Sequence, residues 1–378
     1  MRKLASVQKI VEIRPIDGAD KIELAKVLGW ECIVAKSDNF KVGDNVVYVE
    51  IDSILPEKPE FEFMRQRKFR VKAIKLRGVY SYGLILPLSI LPTDNYVEGD
   101  DVTKILGIEK YDPEAALEKS QSTRQKQTKV QKFLNQFALY RRFFTKKGRH
   151  NFPTWITKTD EIRIQAMPQL FDDIVKNNIP LIGTEKLDGC SATFYLEKSK
   201  HLFFFTKYDF GYCSRNVNMT THANKQTYFK KNFYAEVAHD YHIEYLLKNI
   251  IGDNDKVVIQ GEIVGPSIQG NKYKFLTYKL FVFNLTFYKD GNKISLNTTQ
   301  ISEILRECSI CPNLPVPKTV PILYQNYQIP PTMNELIELS KDDSVLYKTK
   351  REGIVWRNVE KGISFKVINP EFLIKHGE

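Results

Sequence analysis

Thr184-Glu185-Lys186-Leu187-Asp188-Gly189-Cys190-Ser191-Ala192-Thr193 is the stretch on which the reading of this 378-residue sequence turns. Ile179 to Ile182 just before it reads as a short buried strand and Ser191 to Glu197 as the next one. Lys186 therefore falls where a strand gives way to a tight Asp-Gly turn. A lysine amine is protonated and inert in water, but partial burial and neighbouring cations free it to attack phosphorus or a carbonyl. Asp188, two residues on, points to the same side of an extended segment, where it can hold a metal-bound water or orient the amine. Gly189 lets the backbone approach a bulky ligand closely. Alone, Lys-x-Asp-Gly describes an ordinary hairpin with a surface lysine equally well. The remainder of the chain has to decide.

Its length allows two domains with a core each. Hydrophobic residues make up 42% and aromatics 12%, which excludes wholesale disorder. No apolar run reaches bilayer-spanning length, and Met1-Arg2-Lys3-Leu4-Ala5 lacks the apolar centre of a signal peptide. The expectation is an intracellular, cytoplasmic protein with no membrane association and no obligate protein partner. Cys32, Cys190, Cys213, Cys308 and Cys311 are odd in number and irregular in spacing, which argues against a disulfide framework; the Cys308/Cys311 pair has no second pair to complete a zinc site. The net charge of +11 is concentrated between Lys119 and His150, where cations such as Arg124, Lys132, Arg141 and Lys147 occur without one Asp or Glu. Phe133, Phe137, Tyr140, Phe143 and Phe144 interleave with them, a composition suited to tracking a polyphosphate backbone.

Lys3 to Leu91 reads as all-β, with short alternating segments separated by Asp17-Gly18, Leu28-Gly29, Val42-Gly43-Asp44 and Arg77-Gly78. Five or six such strands suggest a small closed barrel of the OB type. Residues 1–95 are thus expected to form an OB-like, nucleic-acid-binding module, 96–155 a basic linker or helical bridge, and 156–378 an α/β domain on antiparallel sheets. Met167, Leu170, Phe171, Ile174 and Val175 sit at helical spacing behind Pro168, a helix placed to pack under the Lys186 strand. Phe233, Val237, Tyr241 and Tyr245 mark one face of another helix. Strands follow at Lys256 to Val264 and Lys279 to Tyr288, and a hairpin at Gly353 to Asn358 and Gly362 to Ile368.

Three carboxylates stand near the ends of these strands. Glu262 can bond ribose hydroxyls or hold a hydrated ion, and with Asp188 and Glu352 it makes an oxygen-donor set suited to Mg2+, or to Mn2+ in its place. Phe281 and Phe283 both offer a flat face for a base. Lys366 is a cation able to neutralise phosphate charge.

In this order the segments resemble the motifs of ATP-dependent RNA ligases of the covalent nucleotidyltransferase superfamily, in the Deinococcus-type clade (family five) with an N-terminal OB module. Phe152-Pro153 and Lys158-Thr159-Asp160-Glu161-Ile162-Arg163-Ile164-Gln165 resemble the lead-in to motif I, Lys186-Leu187-Asp188-Gly189 motif I, Ser214-Arg215-Asn216 motif Ia, and Gln260-Gly261-Glu262 motif III. Leu280 to Leu285 is similar to motif IIIa, Arg351 to Val355 to motif IV and Ser364 to Val367 to motif V. The resemblance implies a mixed α+β fold: an OB-like β-barrel, then an antiparallel-sheet nucleotidyltransferase (ATP-grasp-like ligase) domain. It implies ATP and Mg2+ as cofactors, and Lys186, Asp188 and Lys366 as catalytic residues. Glu185, Arg215, Asn216, Glu262, Phe283 and Glu352 would join Lys186 and Lys366 on the nucleotide, with Asp188, Glu262 and Glu352 on the metal. Its implied partner is a nicked duplex RNA or RNA:DNA hybrid. Two positions depart: motif V keeps one lysine, Ile368 following at the alternate position, so Lys350 or Arg357 becomes a candidate cation; and Asn284 stands where motif IIIa commonly has Asp. DNA ligases and mRNA capping enzymes usually place their OB domain after motif V, whereas this sequence ends at Glu378 and carries its OB-like stretch first. A non-catalytic nucleic-acid-binding protein on the same scaffold is the other reading.

Overall fold

A computed structural model describes residues 3–93, 95–111, 152–201, 205–220, 232–307 and 315–376. The basic run and the Cys308/Cys311 pair lie outside them. The chain forms two compact units, both discontinuous in sequence: Met1–Tyr111, Glu161–Lys186 and Ile322–Glu378 make the first, Asp112–Asp160 and Leu187–Pro321 the second. Among the described residues no helix is long and apolar enough to cross a membrane.

The first unit begins with β1 (Ala5–Pro15), β2 (Ile22–Val27), β3 (Trp30–Ala35), β4 (Asn45–Val49), β5 (Ser53–Ile54), β6 (Arg70–Val71), β7 (Ile74–Leu76), β8 (Val79–Ser81), β9 (Leu84–Pro87) and β10 (Glu109–Lys110). Five of them make an antiparallel sheet in the order β3-β2-β1-β4-β9. β1 serves two neighbours: Ala5 to Lys9 pair with β4, Ile10 to Pro15 with β2, and the register slips at Val11 between them. A bulge at that point bends the strand and adds twist, which curls the sheet into the OB-like half-barrel. Alternation supplies the inside: Trp30, Cys32 and Val34 of β3 are buried while the residues between them are not. Val7, Val27, Val47, Ile51 and Phe61 fill the same core.

This module is built into the first unit. Ile368 and Leu373, from the far end of the chain, belong to its apolar core. Gly29 donates its N–H to the Gln165 carbonyl (2.8 Å), and a side chain at 29 would meet that backbone at 2.9 Å, so the close approach demands glycine. The Arg163 guanidinium bonds Asp52 (3.2 Å) and lies over Trp30. Arg70 reaches the other Asp52 oxygen at 3.5 Å.

The later strands are β11 (Leu181–Lys186), β12 (Cys190–His201), β13 (Phe205–Cys213), β14 (Lys256–Val264), β15 (Lys279–Lys289), β16 (Asn292–Ser295), β17 (Lys318–Thr319), β18 (Ile322–Tyr327), β19 (Gly353–Asn358) and β20 (Ile363–Ile368). The Asp-Gly turn does not close a hairpin. β11 already has β18 on one edge and β19 on the other, in the order β18-β11-β19-β20, while β12 joins a different sheet, β13-β12-β14-β15-β16, with β17 parallel to β15. Helix Pro168–Lys176 packs against the β11 sheet as expected, Phe171 and Ile174 meeting Leu181, Ile354, Trp356 and Phe365. In the second unit, helices Phe233–Asp240, Ile243–Ile250 and Thr298–Glu307 cover one face of the larger sheet. The single helix expected through Tyr245 is two, broken at His242, whose φ of 46° lies in the left-handed region; Tyr245 is exposed.

Asp52 is the shared counter-charge of two mostly buried guanidiniums. Asp52→Ala should lower the unfolding free energy by about 3 kcal/mol, because removing one partner strands the rest of a buried ion pair. The readout is a lower urea midpoint; an unchanged midpoint would show that the cluster contributes nothing.

Candidate active site

The β11–β19–β20 register fixes which side chains share a face. Lys186, Gly353 and Ile368 stand in one row, Thr184, Val355 and Lys366 in the next, and Ile182, Arg357 and Ser364 in a third. Directly opposed residues project to the same side of a sheet. The intervening rows supply Leu181, Ile354, Trp356, Phe365 and Val367 to the helix-covered core, so Lys186, Lys366 and Arg357 all occupy the opposite face. Lys186 Nζ bonds Glu352 Oε1 at 2.5 Å, the two side chains being 26% and 11% exposed. A carboxylate thus meets the amine. Glu352 is anchored by its carbonyl, which accepts the Asn369 N–H (2.9 Å). Gly353 behind it has no room for a Cβ, which would stand 2.2 Å from the Val367 carbonyl.

Lys366 is placed by its N–H, which donates to the Ile162 carbonyl (2.9 Å). Two places along, where the family's second lysine would stand, Ile368 is packed into the N-terminal module's core. Both substitute cations have acidic partners: Arg357 donates to Glu161 (2.7 Å), and Lys350 lies 3.4 Å from Asp343 and 3.3 Å from Glu371. Ser364 closes the first of these groups, its hydroxyl donating to Glu161 at 2.5 Å. Glu185 falls on the other face from Lys186. It is buried and accepts the Val345 N–H (3.0 Å). Burial pushes its carboxyl above the ordinary value, only partly offset by Ser344, Val345 and the Arg351 charge.

The second unit carries the other residues. Asp188 is buried, its carboxylate paired with Lys272, and its N–H donates to the Tyr273 hydroxyl (2.9 Å). Neither Lys272 nor Tyr273 was among the residues picked from the sequence; the turn-rich Gly265-Pro266-Ser267 and Gly270-Asn271 ahead of them is the signal that was available. A side chain at Gly189 would meet the Ile263 carbonyl at 2.4 Å, so its smallness serves strand packing.

Across the larger sheet Ser191, Glu262 and Phe281 stand in one row and Thr193, Gln260 and Asn284 in another. Alternation puts both rows opposite the helix-covered face, whose core holds Cys190, Ile263, Leu280 and Val282. Phe283 is the residue skipped where the register slips between Gln260 and Gly261. It is half-buried, Phe281 buried. A bulge re-aims the side chain it carries, so Phe283 does not follow the alternation that buries Phe281. Asn284 donates to the Gln260 side-chain oxygen (2.7 Å), and Gln260 in turn donates to the Thr157 carbonyl (3.0 Å). An aspartate at 284 would have no hydrogen to give to that oxygen. Arg215 pairs with Asp160 (3.0 Å) and Asn216 accepts from Lys158 (2.9 Å), all near the surface.

Among the described residues no three His, Cys, Asp or Glu side chains are grouped closely enough to hold a metal ion. Asp188 and Glu352, two of the three expected ligands, are each found on a lysine. Their oxygens are nonetheless the hard donors that a hydrated Mg2+ or Mn2+ takes.

Comparison with known proteins gives a consistent result. A family model described as RNA ligase matches residues 179–368, and one described as an OB-fold domain matches residues 4–88. Among solved structures, Naegleria gruberi RNA ligase with PPi is 30% identical, with a TM-score of 0.76 over 100% of this chain and 99% of that one. A mutant of that ligase with ATP and Mn is 29% identical, TM-score 0.76, covering 100% of both chains. Another mutant with AMP and Mn is 29% identical, TM-score 0.76, over 100% and 99%. No curated protein matches the chain.

The buried Glu185 carboxyl sets a pH signature. A carboxyl raised in the folded state binds its proton more tightly folded than unfolded, so its ionisation costs stability at neutral pH and the cost fades as pH falls toward the ordinary glutamate value. Glu185→Gln keeps an oxygen for the Val345 N–H and should melt higher than wild type at pH 7.5, the gap closing below pH 5. A gap that is independent of pH would mean the charge is already compensated.

Proposed function

The chain belongs to the RNA ligase family, and from that premise we propose that it is an ATP-dependent ligase that joins a 3′-hydroxyl to a 5′-phosphate through a lysyl-AMP on Lys186. The observation that carries the proposal is the Lys186–Glu352 pair: an amine at a strand end, only partly open to solvent, held by a carboxylate on the same sheet that bears Lys366. Support for ATP and a divalent metal comes from the ligase structures with ATP, AMP, PPi and Mn, which this chain resembles over its whole length.

In the first step the Lys186 amine, partly open to solvent and having passed its proton to water, forms a bond to the α-phosphorus of ATP as the bond to pyrophosphate breaks. A bound Mg2+ or Mn2+ supplies charge neutralisation on the phosphates, with Asp188, Glu262 and Glu352 as the residues to hold it. Lys366 adds a fixed positive charge that favours the phosphate oxygens as negative charge builds. Phe283 offers its ring to adenine, with Glu262 on the ribose hydroxyls and Arg215 and Asn216 beside the nucleotide. The AMP then passes to a 5′-phosphate, and attack by the 3′-hydroxyl releases it and seals the strand.

The substrate is read as a nick in duplex RNA or an RNA:DNA hybrid. Residues 1–95 serve as the nucleic-acid module, 96–155 as a basic bridge and 156–378 as the adenylyltransferase. An OB-fold match that precedes the ligase match supports the Deinococcus-type clade, and Cys32 and Cys213, buried free thiols among the described residues, suit the cytoplasm.

Incubation with ATP and Mn2+ should add one AMP to the intact mass of wild type and none to Lys186→Ala, and the labelled protein should transfer its AMP to a 5′-phosphorylated nicked duplex. Absence of the adduct in wild type, with pyrophosphate removed and GTP also tried, would refute the ligase chemistry and leave a nucleic-acid-binding protein.

A further inference from the structure

We propose that Lys272 is a positioning residue for Asp188: it is the resident counter-cation of that carboxylate, and divalent metal reaches Asp188 by exchange against it. The inference rests on the metal role given to Asp188 above. Its physical basis lies wholly in the second unit.

Lys272 Nζ sits on Asp188 Oδ2, with the two side chains 16% and 7% exposed. A carboxylate this dry is costly to bury unless a charge of opposite sign accompanies it. The neighbouring residue grips the same aspartate from its backbone, the Tyr273 hydroxyl accepting the Asp188 N–H. Two consecutive side chains thus hold one residue, and the loop that delivers them is heavily constrained. Ser267, Gln269, Asn271 and Lys274 all adopt positive φ, between 43° and 66°, a region that residues with a Cβ seldom enter. The Asn271 side chain pins the turn, accepting the Phe275 N–H (3.1 Å) and donating to the Phe275 carbonyl (2.9 Å), while Ile268 is buried in the sheet's core. Strained backbone of this kind persists where the surroundings over-determine it, and it clusters at ligand clamps.

A lysine on the carboxylate and a divalent ion on the same carboxylate compete for one pair of oxygens. The lysine keeps Asp188 oriented and compensated while no ion is present. It also raises the concentration of metal needed to enter.

The test is Mn2+ binding to the nucleotide-free protein, followed by the electron paramagnetic resonance signal of the free aquo ion. Removal of a competing unit charge a few ångströms from the ion should tighten Mn2+ binding by roughly tenfold in Lys272→Met, whereas Lys272→Arg should bind as wild type does. The double variant D188N/K272M, which removes both charges of the pair, should lose the gain, and it preserves the test if Lys272→Met alone does not fold, by comparison with Asp188→Asn, whose Mn2+ binding it should match. Unchanged or weaker Mn2+ binding in a folded Lys272→Met, or a double variant that binds differently from Asp188→Asn, would overturn the exchange. Because the readout is metal binding without nucleotide, failure here leaves Lys186 adenylylation untouched, and failure of adenylylation leaves this result standing.

Discussion

A strand can show a side chain to only one face of its sheet, and the reactive part of this protein depends on that constraint. Lys186, Thr184 and Ile182 alternate with Glu185, Gly183 and Leu181 along β11, and the antiparallel pairing carries the same division through β19 and β20. One face is then free to be wholly apolar, closed by Phe171 and Ile174 of the helix beneath. The other collects the cations. A slip of one residue at β11 would exchange the two populations and put Lys186 into the core. Gly183 helps to lock the register: a Cβ there would stand 2.8 Å from the ring of Trp356, so the indole lies against bare backbone.

Charge follows the same economy. Lys186 meets Glu352, Lys272 meets Asp188, Arg357 meets Glu161, and Arg163 and Arg70 share Asp52. Placing like charges together for polyphosphate chemistry would repel the native state; compensating them one by one keeps it stable. Each such pair also stores a defined position for both members.

Much of this was legible in the sequence because the relevant signals are local. β14 and β19 begin and end where alternation and turns put them, helix Pro168–Lys176 follows its 3.6-residue spacing, and the motif residues Lys186, Glu262, Glu352 and Lys366 all fall on or beside strands. What escaped was set by long-range pairing. The Asp-Gly pair reads as a hairpin, yet both edges of β11 are taken by strands from far along the chain. The different burial of Phe281 and Phe283 follows a one-residue slip that no alternation pattern reveals. Lys272 carries no local mark, since an isolated lysine after a turn looks like any surface cation until its partner is known. Glu185, placed with the nucleotide by the resemblance, lies on the sheet face opposite to Lys186.

The insertion of Ile368 and Leu373 into the core of the N-terminal half-barrel bears on how the molecule is made. During synthesis the ribosome releases β1 to β10 first, but their apolar interior is finished only when the helix Pro370–His376 has emerged. Residues 187–321, which lie between them in sequence, belong to the other unit together with Asp112–Asp160. The half-barrel therefore leaves the exit tunnel before the residues that complete its core, a high-contact-order arrangement that is slow to complete.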